Sequence, residues 1–190
     1  MEIKILDGSN DLLIIEPKIF GDKRGYFLER YNSKMLMDAM GNSINFVQQN
    51  ESFSSIGVLR GMHYQTTNPQ SKLVTVIHGS VLDVAIDLRL NSSTFGRWFS
   101  IELNSELKNS LFIPKGYAHG FYVQSKEVIF SYMVDEFYDP DSEITILWND
   151  PDLNIEWNAE NPIISDRDSN GISFNSAQKF DWCKSLPNRF

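Results

Sequence analysis

The sequence contains three histidines, His63, His78 and His119, and their spacing limits the chemistry that the chain can perform. A catalytic metal site usually takes about three protein ligands, often histidines one, three or four residues apart. None of these spacings occurs. The sequence also lacks a glycine-rich phosphate loop and a Gly-x-Ser-x-Gly nucleophile elbow. We therefore expect neither a bound metal nor a serine nucleophile, and a metal-dependent oxygenase is disfavoured.

Several polar residues lie inside segments that otherwise read as β-strands. Arg60 and His63 interrupt an apolar run, His119 is flanked by small residues, and Tyr132 lies in a third strand-like segment. Each of them alone is more typical of a core residue, but their combination indicates a binding site within a sheet. Strict alternation places Arg60 and His63 on opposite faces of one strand, so both reach a ligand only if a bulge intervenes. Gly61 could provide it.

Composition sets the broad class of the protein. The chain has 190 residues, of which 42% are hydrophobic, so we expect one domain over residues 1–190 with a packed core. Its formal net charge of -8 argues against general nucleic-acid binding. Apolar runs are too short for a membrane span, and the N-terminus shows no secretory signal. The single cysteine, Cys183, reads as a buried structural thiol and fits a reducing cytoplasm.

Short strands separated by turn residues predict an all-β sandwich or barrel. The predicted strands cover residues 12–15, 27–31, 46–51, 58–65, 73–78, 81–88, 98–103, 110–113, 120–123, 128–134 and 145–148. A short helix is expected over 34–40, with Ser33 as its N-cap and Gly41 as its stop signal. The tail after residue 150 should pack across the outside or mouth of the barrel, with a further helix near 176–184.

Residues 81–89 alternate in polarity. Asp83 and Asp87 share one face of this strand, and four aliphatic side chains share the other. If the polar face points into a barrel, it lines a ligand cavity. Alternation alone fits a solvent-facing arrangement equally well.

Eight ordered motifs resemble those of the dTDP-4-dehydrorhamnose 3,5-epimerases, a family of the cupin superfamily. The likeness extends from about residue 14 to residue 168. The motifs are DKRGYFLE (22–29), FVQQNES (46–52), GVLRGMHYQ (57–65), KLVTVIHGSVLDVAIDLR (72–89), STFGRW (93–98), IPKGYAHGF (113–121), WNDPDLNIEW (148–157) and ISDRD (164–168).

The resemblance implies an all-β, double-stranded β-helix barrel of the jelly-roll type with a few short helices, usually as a homodimer. It implies that His63 is the general base, Asp168 its orienting carboxylate, Tyr132 the general acid and Lys72 the cation beside the sugar ketone. Tyr138 resembles the ring that stacks on thymine. The residues that resemble further substrate contacts are Arg24, Glu29, Gln48, Gln49, Asn50, Arg60, His119, Glu143 and Arg167.

The implied reaction inverts C3 and C5 of dTDP-4-dehydro-6-deoxy-D-glucose to give dTDP-4-dehydro-L-rhamnose. The C4 ketone acidifies both centres, a histidine titrates near neutrality, and no metal or redox cofactor is required. Alternatives are inversion of one centre only, another nucleotide-linked 4-keto sugar, and a non-catalytic sugar-binding protein of the same fold. The chain departs from the family at Met133, where a lysine commonly follows the tyrosine, and in a shortened segment at 124–126.

Overall fold

The computed structural model describes residues 1–181, which form thirteen β-strands, two short helices and the segments that connect them. The strands are β1 (Glu2–Ile5), β2 (Leu13–Glu16), β3 (Ile19–Asp22), β4 (Gly25–Leu28), β5 (Gln48–Ser55), β6 (Leu59–Gln65), β7 (Lys72–His78), β8 (Ser80–Asp87), β9 (Trp98–Asn104), β10 (Ser110–Ile113), β11 (Tyr117–Val123), β12 (Glu127–Val134) and β13 (Glu143–Thr145). The helices are α1 (Ser33–Met40) and α2 (Asp166–Ser169). Within residues 1–181, neither has the length and apolar character needed to cross a membrane.

Two antiparallel sheets face each other and form the barrel. One has six strands in the order β1-β2-β10-β7-β12-β5, and the other has five in the order β13-β6-β11-β8-β9. Strands β3 and β4 form a separate hairpin. Consecutive strands pass repeatedly from one sheet to the other, as in a jelly roll. The predicted fold class is therefore confirmed.

The interior of the barrel is apolar over much of its length. Val74 and Phe130 from the six-stranded sheet pack there against Ala85 and Phe121 from the five-stranded sheet. These side chains are at most 5% exposed, and burying each large one contributes about 1.5–3 kcal/mol. This cluster packs the two sheets against each other and closes the inside of the barrel below any cavity at its end.

The outer faces of both sheets are covered by other segments. Leu36 of α1 packs on Leu13 and Phe112 of the six-stranded sheet. Trp157 and Phe180 of the C-terminal segment pack on the five-stranded sheet. The prediction that the tail crosses the outside of the barrel is confirmed.

The polar face of β8 points into the barrel. Asp83 and Asp87 are fully buried, and Val81 and Ala85, which share their face, belong to the interior cluster. Asp87 accepts hydrogen bonds from Arg89 and neighbouring hydroxyl groups. Of the two readings that alternation left open, the interior one is therefore correct.

Several predicted element boundaries need correction. Asn32, and not Ser33, caps α1, because its side-chain oxygen accepts a hydrogen bond from the Met35 amide, while Gly41 ends the helix in the left-handed region as predicted. The sequence reading missed β1, β3 and α2. The helix predicted over 176–184 is absent from 176–181, where a turn gives way to irregular backbone and an isolated β-bridge between Phe180 and Arg89. The rest of the predicted helix lies outside the described residues, as does Cys183.

A bulge in β6 resolves the conflict between Arg60 and His63. His63 pairs with His119, but Arg60 pairs with Phe121, so three residue steps on β6 match two on β11. The peptide bond between Gly61 and Met62 is cis. The extra residue returns Arg60 to the face that His63 occupies, as the sequence required.

Gly61 should be intolerant of any side chain. Its φ is +118°, and a Cβ there would lie 2.6 Å from the Gly120 Cα and 2.8 Å from the His119 carbonyl oxygen. Gly57 is a matched control, since its φ is +81° but a Cβ would meet nothing within 4 Å. We expect Gly57→Ala to lower the free energy of unfolding by about 1 kcal/mol and Gly61→Ala by about 2–4 kcal/mol, because strain and overpacking add. Urea denaturation measures both losses, and equal losses would contradict the close approach of β6 and β11.

Candidate active site

A cavity of about 310 Å³ opens at one end of the barrel, between the two sheets. Strands β5, β7 and β12 line one side of it, β6 and β11 line the other, and the 138–143 and 167 regions border its mouth. Most of the residues predicted from the sequence line it, namely Gln48, Asn50, Arg60, His63, Lys72, His119, Tyr132, Tyr138, Glu143 and Arg167. The fold thus gathers side chains from distant parts of the sequence into one space.

His63 and Asp168 form a hydrogen-bonded pair. The His63 Nε2 lies 2.6 Å from the Asp168 Oδ1, and the other carboxylate oxygen accepts a hydrogen bond from the Gly61 amide at 3.2 Å. Burial by itself would raise the pKa of Asp168, but its bonds to His63 and Gly61 and the nearby charge of Arg167 hold that pKa below its usual range. The carboxylate is therefore charged at neutral pH and can fix the imidazole in one orientation.

Helix α2 places this carboxylate. Asp168 is only 3% exposed, and its amide donates a hydrogen bond to the side chain of Ser165, which caps the helix. Arg167, the preceding residue, points toward the mouth, where its Nη2 lies 3.1 Å from the His63 Nε2. A one-turn helix in the C-terminal segment therefore supplies two groups around one histidine.

Tyr132 lies in β12 on the interior face, opposite Asn50 of β5 in the strand register. Burial raises the pKa of its phenol, and the negative charge of Glu143 raises it further. The hydroxyl therefore stays protonated at neutral pH. It is placed to donate a proton within the cavity.

The Lys72 side chain places a positive charge in the cavity beside Tyr132. Its Nζ lies 5.7 Å from the centre of the Tyr132 ring. Burial lowers the pKa of Lys72 from 10.5 to about 8, although Glu143 and Asp83 act in the opposite direction. The ammonium form still predominates at neutral pH, so the cavity offers a poorly solvated positive charge to a developing oxyanion.

His119 is held by Asp83, a residue that the sequence reading did not place in the site. The His119 Nε2 lies 2.9 and 3.1 Å from the two Asp83 carboxylate oxygens, and both residues are buried. The alternation of β8 was the signal that could have found Asp83. Two histidines on neighbouring strands, His63 and His119, therefore line the cavity, and each is held by a buried carboxylate behind it.

A hydrogen-bonded network surrounds the mouth. Glu143 accepts hydrogen bonds from the Tyr138 hydroxyl at 2.8 Å and from Arg167 at 2.5 Å. Gln48 accepts one from the Tyr138 amide and donates one to Asn50. The Tyr138 side chain remains about half exposed. The network leaves the Tyr138 ring exposed at the entrance.

Four predicted residues do not line the cavity: Asp168, which reaches it only through His63, and three others that lie elsewhere. Arg24 lies on the exposed β3–β4 hairpin, where it pairs with Asp22, and Glu29 lies just beyond that hairpin, where it accepts a hydrogen bond from Asn32. The Gln49 side chain lies outside the cavity because alternation turns it to the other face of β5, where it bonds to the Ser131 hydroxyl.

Met133, which departs from the family pattern, lies outside the cavity. It packs in the cluster beneath α1, on the face of β12 opposite Tyr132.

Among residues 1–181, no three side chains of His, Cys, Asp or Glu converge in an arrangement that could hold a metal ion.

Sequence comparison identifies the family. The profile of the dTDP-4-dehydrorhamnose 3,5-epimerases matches residues 8–176. This chain belongs to that family. A dTDP-4-dehydrorhamnose 3,5-epimerase of Shigella flexneri is 49% identical over 171 residues, which are 90% of this chain and 94% of the relative.

Solved structures of the same family agree. A dTDP-6-deoxy-D-glucose-3,5-epimerase from Legionella pneumophila, in complex with dTDP-4-keto-L-rhamnose, matches with a TM-score of 0.88 and 44% identity over 93% of this chain and 95% of that one. A 3'-monoepimerase from Streptomyces bikiniensis, in complex with dTDP-quinovose, matches with a TM-score of 0.81 and 31% identity over 86% of this chain and 84% of that one. The fold therefore serves enzymes that invert one centre as well as two.

Lys72 should destabilise the folded protein at neutral pH. The unfolded chain keeps its proton up to a pH near 10.5, whereas the folded chain releases it near pH 8, so the penalty is complete below about pH 8 and disappears as the pH rises toward 10.5. That interval corresponds to at most about 3 kcal/mol. We expect Lys72→Met to be more stable than the wild type at pH 7 by about 1–3 kcal/mol, with the gain shrinking by pH 10.

Urea denaturation at pH 7 and pH 10 measures this difference. Lys126→Met is the matched control, since Lys126 is exposed, and it should change the free energy of unfolding little at either pH. A Lys72→Met protein that is less stable than the wild type at pH 7 would contradict the account of Lys72 burial.

Proposed function

We propose that the protein inverts C3 and C5 of dTDP-4-dehydro-6-deoxy-D-glucose and so produces dTDP-4-dehydro-L-rhamnose. The observation that carries this proposal is the meeting of the His63–Asp168 pair, the protonated Tyr132 and the Lys72 ammonium in one cavity. Proton removal beside a ketone needs a base, an acid and a cation for the enolate oxygen. The cavity contains all three.

In the proposed mechanism His63 removes the proton from the carbon next to the ketone. Asp168 occupies the His63 Nε2, so Nδ1 is the nitrogen left for the proton. The electron pair of the broken C–H bond moves into the ring and onto the ketone oxygen, where the Lys72 ammonium stabilises the resulting enolate. Tyr132 then donates its phenolic proton to the opposite face of the carbon, which inverts the centre.

The reaction then repeats at the other carbon that flanks the ketone. Proton exchange with water restores neutral His63 and the protonated Tyr132 between the two steps. Because protons move and the oxidation state of the sugar does not change, the mechanism needs no redox cofactor. We place the reaction in the cytoplasm, because a chain with one cysteine is suited to its reducing conditions.

The nucleotide is proposed to bind at the mouth. The half-exposed ring of Tyr138 can stack on the thymine base, since every base offers a π-face. Arg60 and Arg167 can donate charge-assisted hydrogen bonds to the pyrophosphate, which an acidic protein binds only through such local positive charge.

Product analysis tests the proposed function. Purified protein is incubated with dTDP-4-dehydro-6-deoxy-D-glucose, and proton NMR coupling constants report the configuration at each ring carbon. We expect inversion at C3 and at C5. A product inverted at one carbon would place the chain with monoepimerases such as the Streptomyces bikiniensis enzyme, and an unchanged sugar that still binds would indicate a non-catalytic sugar-binding protein.

The proposed enzyme acts as a homodimer in which the β3–β4 hairpin serves the partner's cavity. The hairpin exposes Phe20, Tyr26 and Phe27 by 53–69%, which is unusual for a contiguous patch on a monomer. Close by, the buried Arg30 Nη1 has no hydrogen-bond partner within the described part of the chain. Because Arg24 lies on this hairpin, a second copy would let it act as the substrate contact that the family pattern predicts.

Mixed dimers test this arrangement. Differently tagged Arg24→Ala and His63→Ala subunits are co-expressed, and dimers that carry both tags are purified. If the hairpin serves the partner, the Arg24→Ala subunit keeps its own His63 and receives an intact hairpin, so the mixed dimer should regain about half of the wild-type activity. Mixed dimers as weak as both parents, or a monomeric protein in solution, would overturn the proposal.

A further inference from the structure

Two phenylalanines close the inner end of the cavity. Phe121 of β11 and Phe130 of β12 stack across the barrel with their ring centres 4.2 Å apart and their planes within 18°. They are 5% and 1% exposed, so the rings are among the most buried groups that line the cavity. The apolar core of the barrel continues directly beneath them.

This end of the cavity differs chemically from the rest. The Phe130 ring centre lies 6.1 Å from that of His119 and 6.2 Å from that of Tyr132, so the apolar pair adjoins the groups that carry the chemistry. Tyr138 and Arg167, at the other end, are exposed. The cavity thus runs from an exposed, polar mouth to an apolar floor.

If the proposed function is correct, the geometry of the sugar ring determines which substrate atoms lie against the Phe121–Phe130 pair. The nucleotide is attached at C1, which lies across the ring from C4. If the nucleotide stays at the mouth, the ketone at C4 and its neighbours C3 and C5 point inward. C6 is bonded to C5, so it is also at the inner end.

We propose that the Phe121–Phe130 pair is the subsite for the C6 methyl group and selects 6-deoxy sugars over sugars with a C6 hydroxyl. A methyl group packed against the exposed edges of the stacked rings loses contact with water at no polar cost. A hydroxyl in the same place leaves its hydrogen-bonding groups without partners. The specificity resides in this pair.

Three non-reacting ligands test the subsite by calorimetry, namely dTDP-6-deoxyglucose (dTDP-quinovose), dTDP-xylose, which lacks C6, and dTDP-glucose, which has the C6 hydroxyl. For the wild type we expect dTDP-xylose to bind about tenfold more weakly than the 6-deoxy sugar, and dTDP-glucose about 10- to 100-fold more weakly. Because dTDP-xylose and dTDP-6-deoxyglucose differ only in the C6 methyl group, the ratio of their Kd values measures what that group contributes to binding.

Variants then test whether the Phe121–Phe130 pair is the source of this ratio of Kd values. Phe121→Leu and Phe130→Leu should each lower it to about two- or threefold, because a smaller side chain covers less of the methyl group. Phe99→Leu is the matched control, since Phe99 belongs to the same interior cluster, is 7% exposed and does not line the cavity. Its ratio should stay at the wild-type value, and binding of dTDP alone reports that each variant is folded.

The outcomes separate the inference from the proposed function. Wild-type protein that binds dTDP sugars without preferring the 6-deoxy ligand overturns the subsite and leaves the epimerase proposal standing. An unchanged ratio in both phenylalanine variants overturns it as well. Protein that binds none of the three ligands overturns the proposed function, and the subsite with it.

Discussion

The Asp168 carboxylate lies where the C-terminal segment meets β6, and its two oxygens hold two different features of that strand. One oxygen binds the imidazole of His63, and the other accepts the amide of Gly61, the residue at the bulge. The imidazole of His63 and the irregularity that directs it into the cavity are thus fixed by one buried, charged group. Since the bulge also returns Arg60 to the cavity face, the arrangement of β6 depends on a residue far away in the sequence.

The polar cavity and the apolar core occupy different depths of the barrel. Apart from the buried Asp83 and Asp87 of β8, aliphatic and aromatic side chains fill the interior up to the Phe121–Phe130 pair, and the charged groups that line the cavity lie on the other side of that pair. Burial shifts the pKa values of two groups in the cavity, because it raises the pKa of the Tyr132 phenol and lowers the pKa of Lys72 to about 8. We expect the same burial of a charged lysine to lower the stability of the fold, a cost that the proposed role of Lys72 at the enolate oxygen explains.

The sequence predicted the strands of the barrel well, because period-2 alternation and turn residues are local signals. The family resemblance pointed to His63, Tyr132 and Lys72, and the conflict between Arg60 and His63 predicted the bulge. The sequence could not place Asp83, since alternation alone does not say which face of β8 is inside. Helix α2 is too short for a periodic signal, and no local pattern indicates where the β3–β4 hairpin that carries Arg24 lies relative to the cavity.

The central claim is that His63 and Tyr132 act on opposite faces of the sugar ring. Tyr132→Phe protein incubated in heavy water with dTDP-4-dehydro-6-deoxy-D-glucose tests it most directly, with NMR reading both deuterium content and configuration. The account predicts that His63 still removes and returns protons on its own face, so deuterium enters beside the ketone while the original configuration is retained. Inversion at the wild-type rate would contradict the assignment of Tyr132, and loss of both exchange and inversion would contradict the separation of the two roles.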